Sequence, residues 1–107
     1  MTLRQDKVAE LIRTTSAQFF ADQIAPGTLL TVTRASVSKD LRRGTILVSV
    51  FPKNHEAATL EKARRLLGGL RDYLKSRFES RRVPYLDIEL DAGEKNRQLI
   101  DDISQST

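Results

Sequence analysis

The chain has 107 residues, of which 39% are hydrophobic and 30% charged, and its formal net charge is +4. This length predicts a single domain over 1–107, because it suffices for one core and is too short for two. The absence of cysteine excludes disulfides and thiolate metal sites. No apolar run is long enough for a membrane span, and we expect no secretory signal, because acids and bases alternate through the first residues.

The first predicted element is an amphipathic helix over residues 2 to about 24. Its hydrophobic stripe recurs at spacings of three and four residues, at Val8, Leu11, Ile12, Thr15 and Phe19. The sequence Ala25-Pro26-Gly27 is expected to end this helix, because proline cannot continue the hydrogen-bond ladder and glycine favours a turn.

Two runs of β-forming residues predict strands over about 28–38 and 44–51. The connection between them is short, polar and basic, and it carries Lys39, Arg42 and Arg43. These features predict an antiparallel hairpin whose loop is longer than a two-residue turn. Asp40 lies among the cations and would repel phosphate, so we expect it to cap the backbone of the turn or to orient a neighbouring arginine.

A bent pair of helices is predicted after the hairpin. The buried face of the first helix is expected at Ala57, Ala58, Leu60, Ala63 and Leu67. It should end near Gly68-Gly69, because two adjacent glycines cost about 2 kcal/mol relative to alanine in an uninterrupted helix. A second helix is then predicted over about 70–80.

A third strand begins after Val83-Pro84, where Leu86, Ile88 and Leu90 alternate with Tyr85, Asp87 and Glu89. A terminal helix is predicted over about 94–104, and the last few residues are expected to fray. The order is therefore α-β-β-α-α-β, with the helical pair as the crossover to the third strand. Three strands cannot cover both faces of a core, which predicts an α+β two-layer sandwich with the helices on one face of a three-stranded sheet, plus the C-terminal helix.

Positive charge is concentrated in residues 28–83, which carry thirteen Lys or Arg against five Asp or Glu. Such a segment is typical of nucleic-acid binding, although ordinary solvated surface charge is the alternative interpretation. Arginine can donate two hydrogen bonds to one phosphate, and glycine at a helix start allows close backbone approach. The candidate RNA-binding residues are Arg34, Lys39, Arg42, Arg43, Arg64, Arg65, Gly68, Arg71, Lys75, Arg81 and Arg82.

The sequence offers few candidate catalytic residues. His55 is the one histidine and is expected to be an exposed residue at a helix start, without the companions that a metal site needs. No Gly-rich nucleotide loop is present. The few aromatic residues lie mostly at core-type positions, which favours recognition of RNA backbone and shape over base stacking on the sheet. We therefore expect no enzyme activity, no catalytic residue, no cofactor and no metal.

Three blocks of this sequence together resemble the ribosome-binding factor A family. The first is Arg4-x-x-Lys7-Val8-Ala9-x-x-Ile12. The second combines Thr31-Val32-Thr33, Val37-Ser38-Lys39-Asp40-Leu41 and Ile46-x-Val48-Ser49-Val50. The third combines Gly68-x-x-Arg71, Arg81-x-Val83-Pro84-x-Leu86 and Asp91. They span nearly all of residues 4–103.

The resemblance implies a type II KH-like domain that binds the small ribosomal subunit during its maturation. It also implies a part in processing the 5′ end of small-subunit rRNA and in growth in the cold. The family has an Ala-x-Gly kink where this chain has Leu66-Leu67-Gly68, and it commonly has alanine at the position of Gly44.

The leading hypothesis is a non-enzymatic assembly factor that binds the small (30S) subunit and its rRNA in the cytoplasm. The alternative is a basic module that docks an acidic protein partner. In either case we expect no membrane, no small-molecule substrate and a monomer, although the sequence does not exclude a dimer.

Overall fold

The computed structural model describes residues 3–78 and 82–93. Its helices are α1 (Leu3–Ala21), α2 (Glu56–Arg65) and α3 (Leu67–Lys75), with a short 3₁₀ turn at Lys53–His55; its strands are β1 (Leu29–Val37), β2 (Arg43–Phe51) and β3 (Tyr85–Leu90). The prediction of an α+β domain with this order of elements is confirmed. The predicted terminal helix over 94–104 lies outside the described residues, and no helix within them is long and apolar enough to cross a membrane.

The sheet has the order β1-β2-β3. Strands β1 and β2 are antiparallel, and their register runs from Leu29 opposite Phe51 to Val37 opposite Gly44. Strands β2 and β3 are parallel, which requires a crossover between them, and α2 and α3 form it as predicted. Because β3 runs parallel to β2, the segment that leads into β3 lies beside the hairpin loop.

The core lies between one face of the sheet and the three helices. On β2 the buried residues are Gly44, Ile46, Val48 and Val50, and the residues between them are only half-buried. On β3 the alternation is as predicted, with Ile88 fully buried. Helix α1 contacts β1, and α2 and α3 both contact β3. Alternating burial along the strands therefore explains which face of the sheet the helices cover.

The buried face of α2 differs from the prediction. Ala57 and Ala58 are exposed, and the buried residues are Thr59 and Ala63. Alanine side chains remove little apolar area from water, so they do not set how a helix rotates against its core. In α1, likewise, Phe20 is buried and Phe19 is half-buried, where Phe19 was expected on the buried stripe.

The break between α2 and α3 falls at Leu66, earlier than the predicted Gly68-Gly69. Leu66 keeps α-region dihedrals of −89° and −2°, and its N–H still bonds Lys62 O and Ala63 O at 3.2 and 3.1 Å. Both glycines belong to the first turn of α3. The bend is thus a small change of helix direction that needs no glycine, because no positive φ occurs there.

Candidate nucleic-acid interface

The hairpin loop is closed by side chains as well as by its backbone. The Ser38 N–H donates to Arg43 O at 2.9 Å, and the Arg43 N–H donates to Ser38 Oγ at 3.1 Å. Asp40 Oδ1 accepts from Ser38 Oγ at 2.7 Å and from the Arg42 N–H at 3.1 Å. These donors, the Ser38 hydroxyl above all, hold the pKa of the Asp40 carboxyl below its usual range. Asp40 therefore caps the turn, as the sequence predicted.

Leu41 supports the loop from beneath. Its φ is 61°, in the left-handed region that costs a non-glycine residue energy. Its half-buried side chain packs against the core, and its N–H donates to Ser38 O at 2.9 Å. The residue with the unfavourable φ is thus also the one whose side chain fixes the loop to the core. Lys39 and Arg42 therefore lie on a loop with a defined conformation.

A groove of about 430 Å³ lies at this end of the molecule, and we call it the hairpin groove. Four exposed cations form its rim: Arg4, Lys39, Arg42 and Arg82. Its apolar floor consists of Val8, Leu41, Phe78 and Pro84, of which three are buried and Leu41 is half-buried. The residues that line the groove come from α1, the hairpin loop, the turn after α3 and the segment before β3. Only the tertiary fold brings them together.

Hydrogen bonds tie the walls of the hairpin groove together. The buried Gln5 also lines it, and its Nε2 donates to Val37 O at 3.0 Å, joining α1 to the end of β1. The Tyr85 N–H donates to Arg42 O at 2.8 Å, joining β3 to the hairpin loop. Among the described residues that line the groove, Asp40 is the one acid. The groove is therefore preformed and predominantly positive.

The candidate cations of the hairpin divide into two groups. Lys39 and Arg42 line the hairpin groove, and Arg43 is exposed directly after the loop. Arg34 lies apart from them, with its Nε 3.7 Å from Oδ2 of the buried Asp91. The same carboxylate oxygen accepts from the Thr33 hydroxyl at 2.5 Å. Arg34 thus belongs to a set of polar contacts that joins β1 to the residue after β3.

Arg71 was predicted to contact RNA, but its side chain is engaged within the protein. Its guanidinium donates to Val83 O at 3.1 Å and to Pro84 O at 3.4 Å. It also lies 4.6 Å from the centre of the Tyr85 ring. These contacts hold the segment that enters β3, and the RNA contact of Arg71 stays a prediction.

The other candidates near the bend are held more loosely. Arg65 pairs with Glu61 at 3.1 Å, and Lys75 pairs with Asp72 at 3.6 Å. Arg64 donates to Ile88 O at 3.4 Å. Gly68 is exposed, and a Cβ placed there would have no atom within 4 Å. Of the two candidates before β3, Arg82 lines the hairpin groove and Arg81 lies outside the described residues.

Three features escaped the sequence interpretation. Arg4 was not a candidate, since nothing in its local sequence indicates that α1 begins beside the hairpin loop. Phe51 and Tyr85 are 69% and 70% exposed, whereas the sequence predicted most aromatics at core-type positions. His55 is half-buried rather than exposed, because its Nδ1 is hydrogen-bonded to Thr28 Oγ1 at 2.7 Å. Within 3–78 and 82–93 no group of His, Cys, Asp or Glu could hold a metal ion.

The antiparallel β1–β2 pair, the parallel β2–β3 pair and the bent helical crossover define an α+β domain of the KH-like class. A family model for ribosome-binding factor A matches residues 4–104. The chain belongs to the ribosome-binding factor A family.

Individual relatives agree with this assignment. The chain is 35% identical over 95 residues to ribosome-binding factor A of Akkermansia muciniphila, covering 85% of this chain and 74% of that protein. The crystal structure of the Thermus thermophilus factor superposes with a TM-score of 0.70 at 24% identity, covering 80% and 94% of the two chains. A homology model of the T. thermophilus factor, fitted into a cryo-EM map of a 30S complex, matches with a TM-score of 0.64 at 26% identity, covering 74% and 86%.

Proposed function

We propose that this chain is a non-enzymatic assembly factor that binds the small ribosomal subunit through its rRNA. The observation that carries the proposal is the hairpin groove, where Arg4, Lys39, Arg42 and Arg82 meet on a preformed support. None of the four forms a salt bridge with an acid in the described part of the chain, although the Arg42 charge helps to lower the pKa of Asp40. As far as the acids of residues 3–78 and 82–93 are concerned, these cations are open to phosphate, and the relative fitted into a 30S complex supports the choice of partner.

The proposed mechanism is electrostatic docking. Phosphate contacts position a protein on RNA without reading its sequence, and each contact releases counterions. Binding should therefore weaken steeply as salt rises. The docked protein would hold an immature conformation of the subunit until later factors or subunit joining displace it.

Finer parts of the proposal follow from the family rather than from the geometry. They are a role in 5′-end processing of small-subunit rRNA, support of growth in the cold, action in the cytoplasm and action as a monomer. A strain that lacks the protein should accumulate small-subunit rRNA with an unprocessed 5′ end, most strongly at low temperature. Primer extension on that rRNA measures it.

Co-sedimentation with immature small subunits, mature small subunits and large subunits, at low and high salt, tests the proposal. We expect salt-sensitive binding to small subunits alone. The double variant Arg42→Glu and Arg43→Glu should lose that binding while thermal stability stays nearly unchanged, because both side chains are exposed.

Other outcomes would overturn parts of the proposal. Equal binding to all particles would reduce the protein to a general basic RNA binder. Unchanged binding by the folded double variant would remove the hairpin from the interface. A native complex that survives RNase digestion would indicate a protein partner in place of rRNA.

A further inference from the structure

We propose that the hairpin groove accommodates one unpaired nucleotide of the rRNA, with its phosphate on the cationic rim and its base on the apolar floor. The inference rests on the proposed function and adds a ligand to the same site. It implies that the protein recognises a base that is not stacked in a helix, in addition to the phosphate backbone.

The apolar floor is the first argument. A surface that contacts only phosphates needs exposed cations and no depth. In the hairpin groove apolar residues lie among the cations: Leu41 is half-buried and offers the most apolar surface, whereas Val8 and Phe78 are 7% and 4% exposed and close the groove from the core side. Unstacked bases of RNA bind by placing their faces on aromatic and apolar side chains. Apolar residues beside cations therefore suit a nucleotide, which has a base and a phosphate, better than an anion alone.

The size of the hairpin groove is the second argument. Its volume of about 430 Å³ lies within the range of small-ligand sites, which is roughly 300–1,000 Å³. Sites of that kind are usually mostly apolar, whereas six of the ten lining residues of the hairpin groove are charged or polar, as suits a ligand that carries a phosphate. A phosphate ion alone would leave the floor uncovered.

Preorganisation is the third argument. Gln5 is fixed by its bond to Val37 O, and the loop is fixed by the bonds of Ser38 and Asp40. The walls that would meet the base therefore lose little freedom on binding, which lowers the entropic cost of association. The negative charge of Asp40 is partly offset by Arg42, and its Oδ1 is occupied by Ser38 Oγ and the Arg42 N–H.

The test compares adenosine 5′-monophosphate with ribose 5-phosphate, titrated into the full chain at low salt and followed by amide NMR shifts. The two probes carry the same phosphate and differ by the base. Both should shift the amides of Lys39, Arg42 and Arg82, and only the nucleotide should also shift Val8 and Phe78. We expect the nucleotide to bind about tenfold more tightly, as is usual for one stacked base.

Two variants and one control separate the phosphate contacts of the rim from the base contacts of the floor. Arg82→Ala should weaken both probes alike, whereas Lys53→Ala, which removes an exposed cation distant from the groove, should weaken neither. Leu41→Asn keeps a residue type that tolerates positive φ and removes part of the floor. It should lower the affinity for the nucleotide by a larger factor than the affinity for ribose 5-phosphate, because Leu41 also anchors the loop that carries Lys39 and Arg42.

Equal affinity for the two probes in the native chain would overturn the nucleotide assignment. So would base-dependent shifts that map away from the hairpin groove. Sedimentation with subunits is read separately: if subunit binding persists while the probes bind equally, this inference fails and the proposed function stands. If subunit binding is also absent, the proposed function itself fails.

Discussion

The hairpin groove and the helix bend are equally rich in cations, yet they use them differently. At the bend, Arg65 and Lys75 each find an acid on their own helix, at i−4 and i−3. Around the hairpin groove, no rim cation forms a salt bridge with an acid of residues 3–78 or 82–93. On α2 and α3 acids stand three and four residues from Arg65 and Lys75, where they can pair. Lys39, Arg42 and Arg82 lie outside helices, and Arg4 in α1 has Lys7 and Val8 at those spacings. The number of cations in a segment therefore does not indicate how many are available to a ligand.

The contacts of the cations at the bend differ in strength. Exposed pairs such as Arg65 with Glu61 contribute about 0–1 kcal/mol, so RNA could displace them at little cost. Arg71 differs, because it satisfies two backbone carbonyls and stacks on Tyr85. Of the four cations at the bend, Arg65 and Lys75 form displaceable pairs, Arg64 makes one long bond to Ile88 O, and Arg71 makes the most contacts within the protein.

The largest expected effect is on subunit binding. The double variant Arg42→Ala and Arg82→Ala should weaken binding to immature small subunits by roughly tenfold for each arginine, since a hydrogen bond to a charged group contributes about 1.5 kcal/mol or more. The slope of log affinity against log salt should fall by about 1 for each arginine. Filter binding across a salt series measures both quantities.

The matched control is Arg64→Ala with Arg65→Ala, which removes the same charge from the bend. We expect a smaller loss of affinity, because these arginines already have partners within the protein. If the bend variant loses as much affinity as the groove variant, the two regions contribute equally to subunit binding, and intramolecular partners do not decide which cations bind RNA.

Arg71 is expected to give the largest effect on stability. Arg71→Ala should lower the free energy of unfolding by about 2 kcal/mol, because it leaves two part-buried carbonyls without a donor and removes a cation–π contact. Arg65→Ala should change it by less than about 0.5 kcal/mol. Urea denaturation of both variants measures the difference. Equal values would show that Arg71 is as dispensable as a surface cation.

Gly68 tests whether the bend meets RNA through its backbone rather than through its cations. Gly68→Ala should raise the free energy of unfolding by about 0.5 kcal/mol, since an alanine there meets no atom within 4 Å and favours the helix. If the RNA backbone approaches Gly68 closely, the same variant should bind subunits more weakly. Greater stability with unchanged binding would leave the hairpin groove as the principal contact.

The sequence predicted the fold better than the candidate site, for a physical reason. Alternating residues such as Leu86 and Ile88 report burial directly, because one face of a strand packs on the core. The position of Arg4 in the groove and the bonds of Arg71 to the segment before β3 depend on contacts between distant parts of the chain. Local patterns give the order of elements, whereas the partner of each arginine is decided by tertiary contacts.

The smallest expected effect concerns Asp40, the one acid among the described residues that line the hairpin groove. Because its pKa in the folded chain lies below the unfolded value of about 3.9, its ionised form favours the folded state. That contribution is present above the unfolded pKa and is lost as the pH falls through the folded pKa.

Asp40→Asn removes this titration and keeps an oxygen that can accept from Ser38 Oγ and the Arg42 N–H. The difference in unfolding free energy between the native chain and this variant should therefore shrink as the pH falls from about 5 to about 2. At neutral pH the variant should bind subunits somewhat more tightly, because a negative charge has left the rim. Weaker binding would show that the groove needs the carboxylate itself, as a hydrogen-bond acceptor for the base or as the charge that orients Arg42.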